Sequence, residues 1–159
     1  MAQITFITVG SIKERYLTDA LAEYKKRLSQ FAKISEVEIK EERIVDEDNR
    51  REISDALDRE ADKILSAVPQ GSTLVALCIE GKQLSSEELA TTVGSVLDES
   101  GKLTFVIGSS HGLSDRVKSA ARLRLSFSRL TFPHQLMRVV LYEAIYRSFT
   151  ILAGKRYHK

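Results

Sequence analysis

The sequence of 159 residues contains one cysteine, two prolines and no tryptophan. The single thiol, Cys78, excludes a disulfide within the chain and any zinc site built on cysteines. No stretch of about 18 apolar residues occurs, so we expect no transmembrane helix. Residues 1–6 form a strand-like run without the basic region of a signal peptide, which predicts a cytoplasmic protein. Because Cys78 lies within the apolar run 74–79, we expect a buried, unreactive thiol.

Charge is unevenly distributed along the chain, although the overall net charge is only +2. Residues 1–100 carry 13 basic against 20 acidic side chains, whereas residues 101–159 carry 11 basic against 2 acidic ones. The net charges of the two parts are therefore −7 and +9. This asymmetry predicts that the C-terminal third meets an anionic partner such as nucleic acid. The alternative is that two faces of the folded protein differ in charge without any partner.

Strand and helix patterns alternate along the chain. Apolar runs and alternations predict strands at residues 4–9, 34–39, 73–79, 103–107 and 123–127. Helical periodicity predicts helices at residues 14–28, 53–65, 85–100, 114–121 and 133–152. Ser85 and Glu88 have the spacing of a capping box, and Gly81 is expected to end the third strand. The alternation predicts an α/β fold, with a mostly parallel sheet and helices on both faces, as a single domain over residues 1–159.

Three loops follow buried strands in the second half of the chain, at residues 80–83, 108–112 and 126–134. Ligands of open α/β sheets bind outside the carboxyl ends of the strands, so these loops are expected to form one pocket. Gly108 and Gly112 would allow the backbone to approach a ligand closely. Their spacing matches neither a dinucleotide fingerprint nor a P-loop, and an ordinary turn between strand and helix is the alternative.

The third of these loops contains two aromatic and two hydroxyl side chains between residues 127 and 132. Such a segment could enclose a purine ring, or its apolar side chains could simply fill gaps in the core. The C-terminal tail places Tyr157 and His158 among basic residues, which suits stacking on a base or a disordered electrostatic tail. Arg147 could bind phosphate or pair with Glu143 one helical turn earlier.

Several runs of residues together resemble one known family. They are Phe105-Val106-Ile107-Gly108, Leu125 to Arg138 with its Ser-Phe-Ser-x-x-Thr-Phe-Pro-His-Gln core, Leu141 to Arg147, and the ending Tyr157-His158-Lys159. The chain is similar over its full length to the bacterial large-subunit ribosomal RNA methyltransferase H family, which are small SPOUT-class, α/β-knot enzymes. The resemblance also covers residues 7–13 and 77–82.

The resemblance implies a homodimer that uses S-adenosylmethionine, and no metal, to methylate N3 of a pseudouridine in 23S rRNA of the assembled 70S ribosome. It also implies a C-terminal trefoil knot whose loops hold the methyl donor. The implied donor-binding residues are Leu77, Gly108, Phe127, Ser128, Arg129, Leu130, Thr131 and Phe132. The positions matching those implicated in RNA binding and catalysis are Arg147, Tyr157 and His158. We further expect that His158 or Tyr157 acts as a base, and that the tail reaches the partner subunit.

One position departs from the family pattern, because Ser109 stands where the family usually has a second glycine after Gly108. A side chain there could narrow the donor pocket or require an ordinary backbone φ. Two other functions remain open at this point. One is a ribosome- or RNA-binding protein that has lost catalysis, and the other is a nucleotide-cofactor enzyme acting on a small molecule.

Overall fold

A computed structural model describes all residues, 1–159, as five strands and five helices in strict alternation. The strands are β1 (Ala2–Val9), β2 (Ala32–Ile39), β3 (Thr73–Gln83), β4 (Lys102–Ile107) and β5 (Leu123–Ser126). The helices are α1 (Arg15–Leu28), α2 (Arg50–Ala67), α3 (Ser86–Ser100), α4 (Asp115–Ala120) and α5 (His134–Leu152). The predicted order of elements is confirmed.

The five strands form one sheet in the order β2-β1-β4-β3-β5, and every pair of neighbours is parallel. The predicted parallel sheet is therefore confirmed. Parallel pairing places the carboxyl ends of all five strands at the same edge of the sheet. The strand order does not define how the C-terminal segment threads past its neighbours, so the trefoil knot stays a prediction.

Helices cover both faces of the sheet, as the sequence predicts. On one face, α1, α3 and α5 pack on side chains such as Phe6 and Phe105, and Tyr142 of α5 stacks on Phe6 with ring centroids 4.1 Å apart. On the other face, α2 and α4 pack on Ile7 and Val106. The alternation of side chains along β1 and β4 thus supplies two separate apolar cores, one on each side.

The ends of α3 follow directly from its sequence. The Ser85 side chain accepts a hydrogen bond from the Glu88 backbone N–H at 3.1 Å, and the Glu88 carboxylate accepts from the Ser85 N–H at 2.9 Å. This is the predicted capping box. The helix ends at Gly101, whose φ of +71° is accessible to glycine without steric cost.

The prediction that β3 ends at Gly81 is wrong, because the strand continues to Gln83. Leu77 and Lys82 both pair with Leu125 of β5, so residues 78–81 bulge out of the ladder between them. A Cβ at Gly81 would lie 2.8 Å from the Arg124 backbone, so only glycine lets β3 lie this close to β5. The glycine that suggested a strand end in fact permits the strand to continue.

Candidate active site

A cleft of about 660 Å³ opens at the carboxyl edge of the sheet. Its walls come from residues 77–80 of β3, the loop after β4 and the loop after β5, together with the first turn of α5. The lining residues include Leu77, Cys78, Ile79, Glu80, Gly108, Ser109, Ser110, His111, Gly112, Lys118, Phe127, Ser128, Leu130, Thr131, Phe132, His134 and Met137. The predicted loops at residues 108–112 and 126–134 do meet at one cleft, but of the predicted loop 80–83 only Glu80 lines it, because these residues continue β3.

The loop after β4 is a tight turn that depends on glycine. A Cβ at Gly108 would overlap the carbonyl oxygen of Gly112, and Gly112 has a φ of +88°. The Gly112 N–H donates to the Ser109 carbonyl at 2.9 Å, which closes the turn. Ser109 itself has no positive φ, and its Oγ accepts from the His111 N–H at 3.3 Å. The departure at Ser109 is therefore accommodated without backbone strain.

The loop after β5 is shaped by its own hydroxyl groups. The buried Ser126 donates its hydroxyl to the Ser128 carbonyl at 3.1 Å, and the Ser128 Oγ accepts from the Leu130 N–H at 2.9 Å. Phe127 packs against the core and also lines the cleft, whereas Leu130 lines the cleft without being buried. The enclosure of a purine ring by this loop stays a prediction. Arg129 is exposed and does not line the cleft, so its assignment to the donor site stays a prediction.

The floor of the cleft contains Cys78, which is only half-buried. The expectation of a buried thiol is wrong, because Cys78 belongs to the bulge that leaves the β3–β5 ladder. Partial burial nevertheless raises the pKa of the Cys78 thiol above its ordinary value. Nearby, Lys118 pairs with Glu80 at 2.5 Å, and this ion pair lowers the pKa of the Glu80 carboxyl. The lysine that lines the cleft, Lys118, is therefore already paired with a carboxylate.

The C-terminal tail folds back onto the chain and forms a hydrogen-bonded network. Glu143 accepts from Arg147 Nε and from the Tyr157 hydroxyl, each at 2.7 Å. Arg147 Nη1 lies 3.2 Å from Nδ1 of His158, whose Nε2 lies 2.7 Å from the Glu87 carboxylate. These five side chains are called the tail network below. A disordered tail is thus excluded, and the predicted Arg147–Glu143 ion pair is present.

Charge and aromatic packing both stabilise the tail network. The hydrogen bond to the Glu143 carboxylate raises the pKa of Tyr157 to about 12, so its hydroxyl is protonated at neutral pH. The Arg147 guanidinium lies 4.7 Å from the centroid of the Tyr157 ring, a cation–π distance. The Tyr157 ring also meets Tyr146 edge-on, with centroids 4.9 Å apart.

The structure does not bring the cleft and the tail network together within one chain. No residue of the network lines the cleft. Met137 lines the cleft near the start of α5, and Arg147 lies ten residues further along the same helix, or about 15 Å along its axis. The two groups of predicted site residues therefore occupy opposite ends of α5.

Several contributors were not predicted from the sequence, among them Cys78, Ile79 and Lys118 of the cleft. Met137 lines the cleft, but its helical spacing is indistinguishable from that of a core residue. Glu87 contacts His158 across 71 positions of the chain, and nothing in its local sequence indicates this. The structure contains no cluster of three or more histidine, cysteine or acidic side chains that could hold a metal ion. None of its helices combines the length and apolar character needed to cross a membrane.

Comparison with known proteins bears on this arrangement. A family model described as "Predicted SPOUT methyltransferase" matches residues 2–158. The chain belongs to the SPOUT methyltransferase family. It is 51% identical over 156 residues to ribosomal RNA large subunit methyltransferase H of Caldicellulosiruptor saccharolyticus, covering 98% of this chain and 99% of the relative. It is 46% identical over 157 residues to the protein of the same name from Bacillus pumilus, with the same coverage.

A solved structure with a similar fold supports the architecture. A crystal structure of a probable methyltransferase from Bordetella pertussis Tohama I superposes with a TM-score of 0.57. The match covers 92% of this chain and 94% of the other, at 15% sequence identity. At that identity the likeness concerns the fold alone. The fold of this SPOUT methyltransferase is thus shared with the Bordetella protein, whereas its relation to the methyltransferase H proteins is shown by sequence identity.

Proposed function

We propose that this SPOUT methyltransferase transfers the methyl group of S-adenosylmethionine to N3 of a pseudouridine in 23S rRNA of the 70S ribosome. The rRNA substrate is supported by the relatives named ribosomal RNA large subunit methyltransferase H, at up to 51% identity over nearly the whole chain. The structural observation that carries the proposal is that seven of the eight donor-site positions line one cleft. A ribosomal substrate implies action in the cytoplasm.

The cleft suits a methyl donor with an adenosine moiety. Its volume of about 660 Å³ lies within the range of small-molecule and cofactor sites. Apolar side chains such as Leu77, Leu130 and Phe132 can hold a purine ring, and the tight turn from Gly108 to Gly112 exposes backbone polar groups. When bound, S-adenosylmethionine supplies a methyl group that is already electrophilic on its sulfonium. The protein's main task is therefore to align donor and acceptor.

The tail network supplies the groups that prepare the acceptor. The N3 position of pseudouridine is an imide N–H and is a poor nucleophile until it loses its proton. His158 is the group we propose as the base, and Arg147 carries a positive charge beside it that favours the resulting anion. Tyr157 is protonated and donates to Glu143, so we propose that it orients the network and stacks beside the substrate.

A homodimer could place the cleft of one copy, near the start of its α5, against the tail network of the other copy, near the end of its α5. Large apolar side chains stay exposed at the cleft rim and on the adjacent first turn of α5, where Ile79 is 59%, Leu130 72% and Leu136 38% exposed. Such a patch is typical of a surface covered by a partner. We propose that a second copy covers it and presents its own tail network to the cleft, which gives a composite site.

The decisive experiment is a methyl-transfer assay on ribosomes from a strain that lacks this gene, with the modified nucleotide mapped. We expect one methylated pseudouridine in 23S rRNA. His158→Ala, and a truncation before Tyr157, are each expected to abolish the transfer. Full methylation by both variants would show that the tail takes no part. Calorimetric titration with S-adenosylmethionine separates a true methyltransferase from an RNA-binding relative, which would show no heat of binding.

Complementation between two inactive variants tests the composite site. A Gly108→Ala protomer has a defective cleft and an intact tail, whereas a His158→Ala protomer has the reverse. In a composite arrangement, mixed dimers contain one complete site and regain activity. If each chain used its own tail, co-expression of the two variants would give no activity above that of either variant alone.

A further inference from the structure

The imidazole of His158 has a defined partner on each side. Nε2 lies 2.7 Å from the carboxylate of Glu87, in the first turn of α3, and Nδ1 lies 3.2 Å from Arg147 Nη1. A carboxylate can only accept a hydrogen bond, and a guanidinium can only donate one. The contacts are therefore consistent with one neutral tautomer, in which Nε2 carries the proton and Nδ1 carries the lone pair.

We propose that Glu87 is a positioning residue for His158, holding the imidazole so that Nδ1 is the atom that takes the N3 proton of the target base. This inference rests on the proposed function. A carboxylate that is hydrogen-bonded to the non-reacting nitrogen of a catalytic histidine fixes the tautomer and stabilises the imidazolium that forms. Glu87 does not itself touch the substrate in this arrangement.

The N3–H bond of the pseudouridine breaks, its electron pair stays on N3, and the proton forms a bond to Nδ1 of His158. The ring then becomes an imidazolium that donates from both nitrogens, and Arg147 must release its contact with Nδ1 as the base enters. At 3.2 Å this contact is long for a hydrogen bond to a charged group, so its loss costs little.

The charges around His158 support this direction of transfer. The groups in contact with it are Glu87 from α3 and Arg147 from α5, and Arg147 and Tyr157 both donate to Glu143. Before the proton arrives, the ring is in direct contact with one carboxylate, Glu87, and one guanidinium, Arg147. An imidazolium formed there is neutralised by Glu87, while Arg147 stays available to the imide anion. The hydrogen bond from His158 also lowers the pKa of the Glu87 carboxyl, which keeps it charged at neutral pH.

Substitution of Glu87 tests the proposal by kinetics. We expect Glu87→Gln and Glu87→Ala to lower kcat for ribosome methylation about ten-fold, less than the full contribution of a positioned base because Glu87 is exposed. The KM values for ribosomes and donor should stay within about two-fold, and Glu87→Asp should recover part of the rate. Asp98→Asn removes an exposed charge from the same helix and is the matched control, expected to leave the kinetics unchanged. Values of kcat within two-fold of wild type for both Glu87→Gln and Glu87→Ala would overturn the proposal.

A second readout does not depend on activity. The protein has three histidines, so ¹⁵N NMR of the imidazole nitrogens can be assigned by comparison with His158→Asn. We expect the Nε2–H tautomer for His158 in the wild type and a mixture of tautomers in Glu87→Ala. An Nδ1–H tautomer in the wild type would overturn the positioning role. If wild-type protein leaves ribosomes unmethylated, the proposed function fails, whereas the NMR result still tests the Glu87–His158 contact.

Discussion

The Tyr157 hydroxyl donates to the Glu143 carboxylate at 2.7 Å, and this bond fastens the last residues of the chain to helix α5. The same carboxylate accepts from Arg147 Nε, so one side chain orients both an aromatic and a cationic group. Because Glu143 and Arg147 are one helical turn apart, their geometry follows from the helix. The position of Tyr157 does not, since it depends on how the tail turns back after Gly154.

Replacement of Tyr157 by Phe removes one hydrogen bond of the tail network and keeps the aromatic ring. We expect the free energy of unfolding to fall by about 1 kcal/mol, because one hydrogen bond to a charged acceptor is lost at a partly exposed site. Urea unfolding measures this difference. Tyr16→Phe is the matched control, because Tyr16 is exposed on α1 and its hydroxyl makes no hydrogen bond. An equal loss of stability in both variants would contradict the role of the bond.

The difference in the free energy of unfolding between wild type and Tyr157→Phe is expected to depend on pH above about pH 10. Folding raises the pKa of Tyr157 from its ordinary value of 10 to about 12, so the folded state binds more protons between these values. Stability from the Tyr157–Glu143 bond is thus fully present below pH 10 and is lost as the pH rises through 12. We expect the stability difference between wild type and Tyr157→Phe to shrink over this interval. A constant difference from pH 9 to pH 12 would count against the assignment.

Substitution of Gly108 should damage donor binding while the fold persists. A Cβ at this position would overlap the Gly112 carbonyl oxygen, so the turn after β4 must shift. We expect Gly108→Ala to weaken S-adenosylmethionine binding at least ten-fold by calorimetry, with an unchanged far-ultraviolet circular dichroism spectrum. Ser109→Ala, in the same turn, removes only a hydroxyl and should retain the affinity within a few-fold. Equal affinities for Gly108→Ala and wild type would separate this turn from the donor site.

Charge neutralisation tests whether the basic C-terminal third faces RNA. Lys155→Gln with Arg156→Gln should weaken ribosome binding and reduce the slope of log K against log salt by roughly 1 to 2, if each side chain contacts one phosphate. Arg50→Gln with Arg51→Gln is the matched control. These two arginines begin α2, which packs on the opposite face of the sheet from α5. An unchanged slope for the tail variant would mean that the charge asymmetry is incidental.

The single cysteine reports on the cleft directly. Cys78 lines the cleft and is half-buried, and the raised pKa of its thiol leaves little thiolate at neutral pH. We expect slow alkylation that accelerates with pH and slows further when S-adenosylmethionine is bound. Labelling followed by mass spectrometry measures the rate, and unfolded protein gives the upper limit. A rate that is independent of the donor would place Cys78 outside the occupied part of the cleft.

Local signals in the sequence account for much of the fold. The capping box at Ser85 and Glu88 depends on residues within one turn and is confirmed, and α3 ends at residue 100 as predicted. The apolar runs at residues 4–9 and 103–107 predicted buried strands, and β1 and β4 contribute side chains to the cores on both faces. The meeting of the loops after β4 and β5 also follows from parallel strands, whose carboxyl ends share one edge.

Other features depend on residues that are distant in the chain. Residues 78–81 bulge because Leu77 and Lys82 both pair with the same residue of β5. Cys78 lies in this bulge and is half-buried, against expectation. The contact between Glu87 and His158 joins a helix start to the chain end. The position of Arg129 outside the cleft depends on the hydroxyl bonds that shape its loop. Periodicity and spacing carry no information on such pairs.

The separation of the cleft from the tail network along α5 has a consequence for the behaviour of the protein in solution. If a complete site needs both ends of this helix from different copies, an isolated protomer has no activity, however well it binds its donor. Specific activity would then fall on dilution, in proportion to the fraction of chains that remain associated. At the lowest concentrations, where most chains are dissociated, the reaction rate would therefore rise with the square of the protein concentration. Donor affinity per chain would stay constant over the same range.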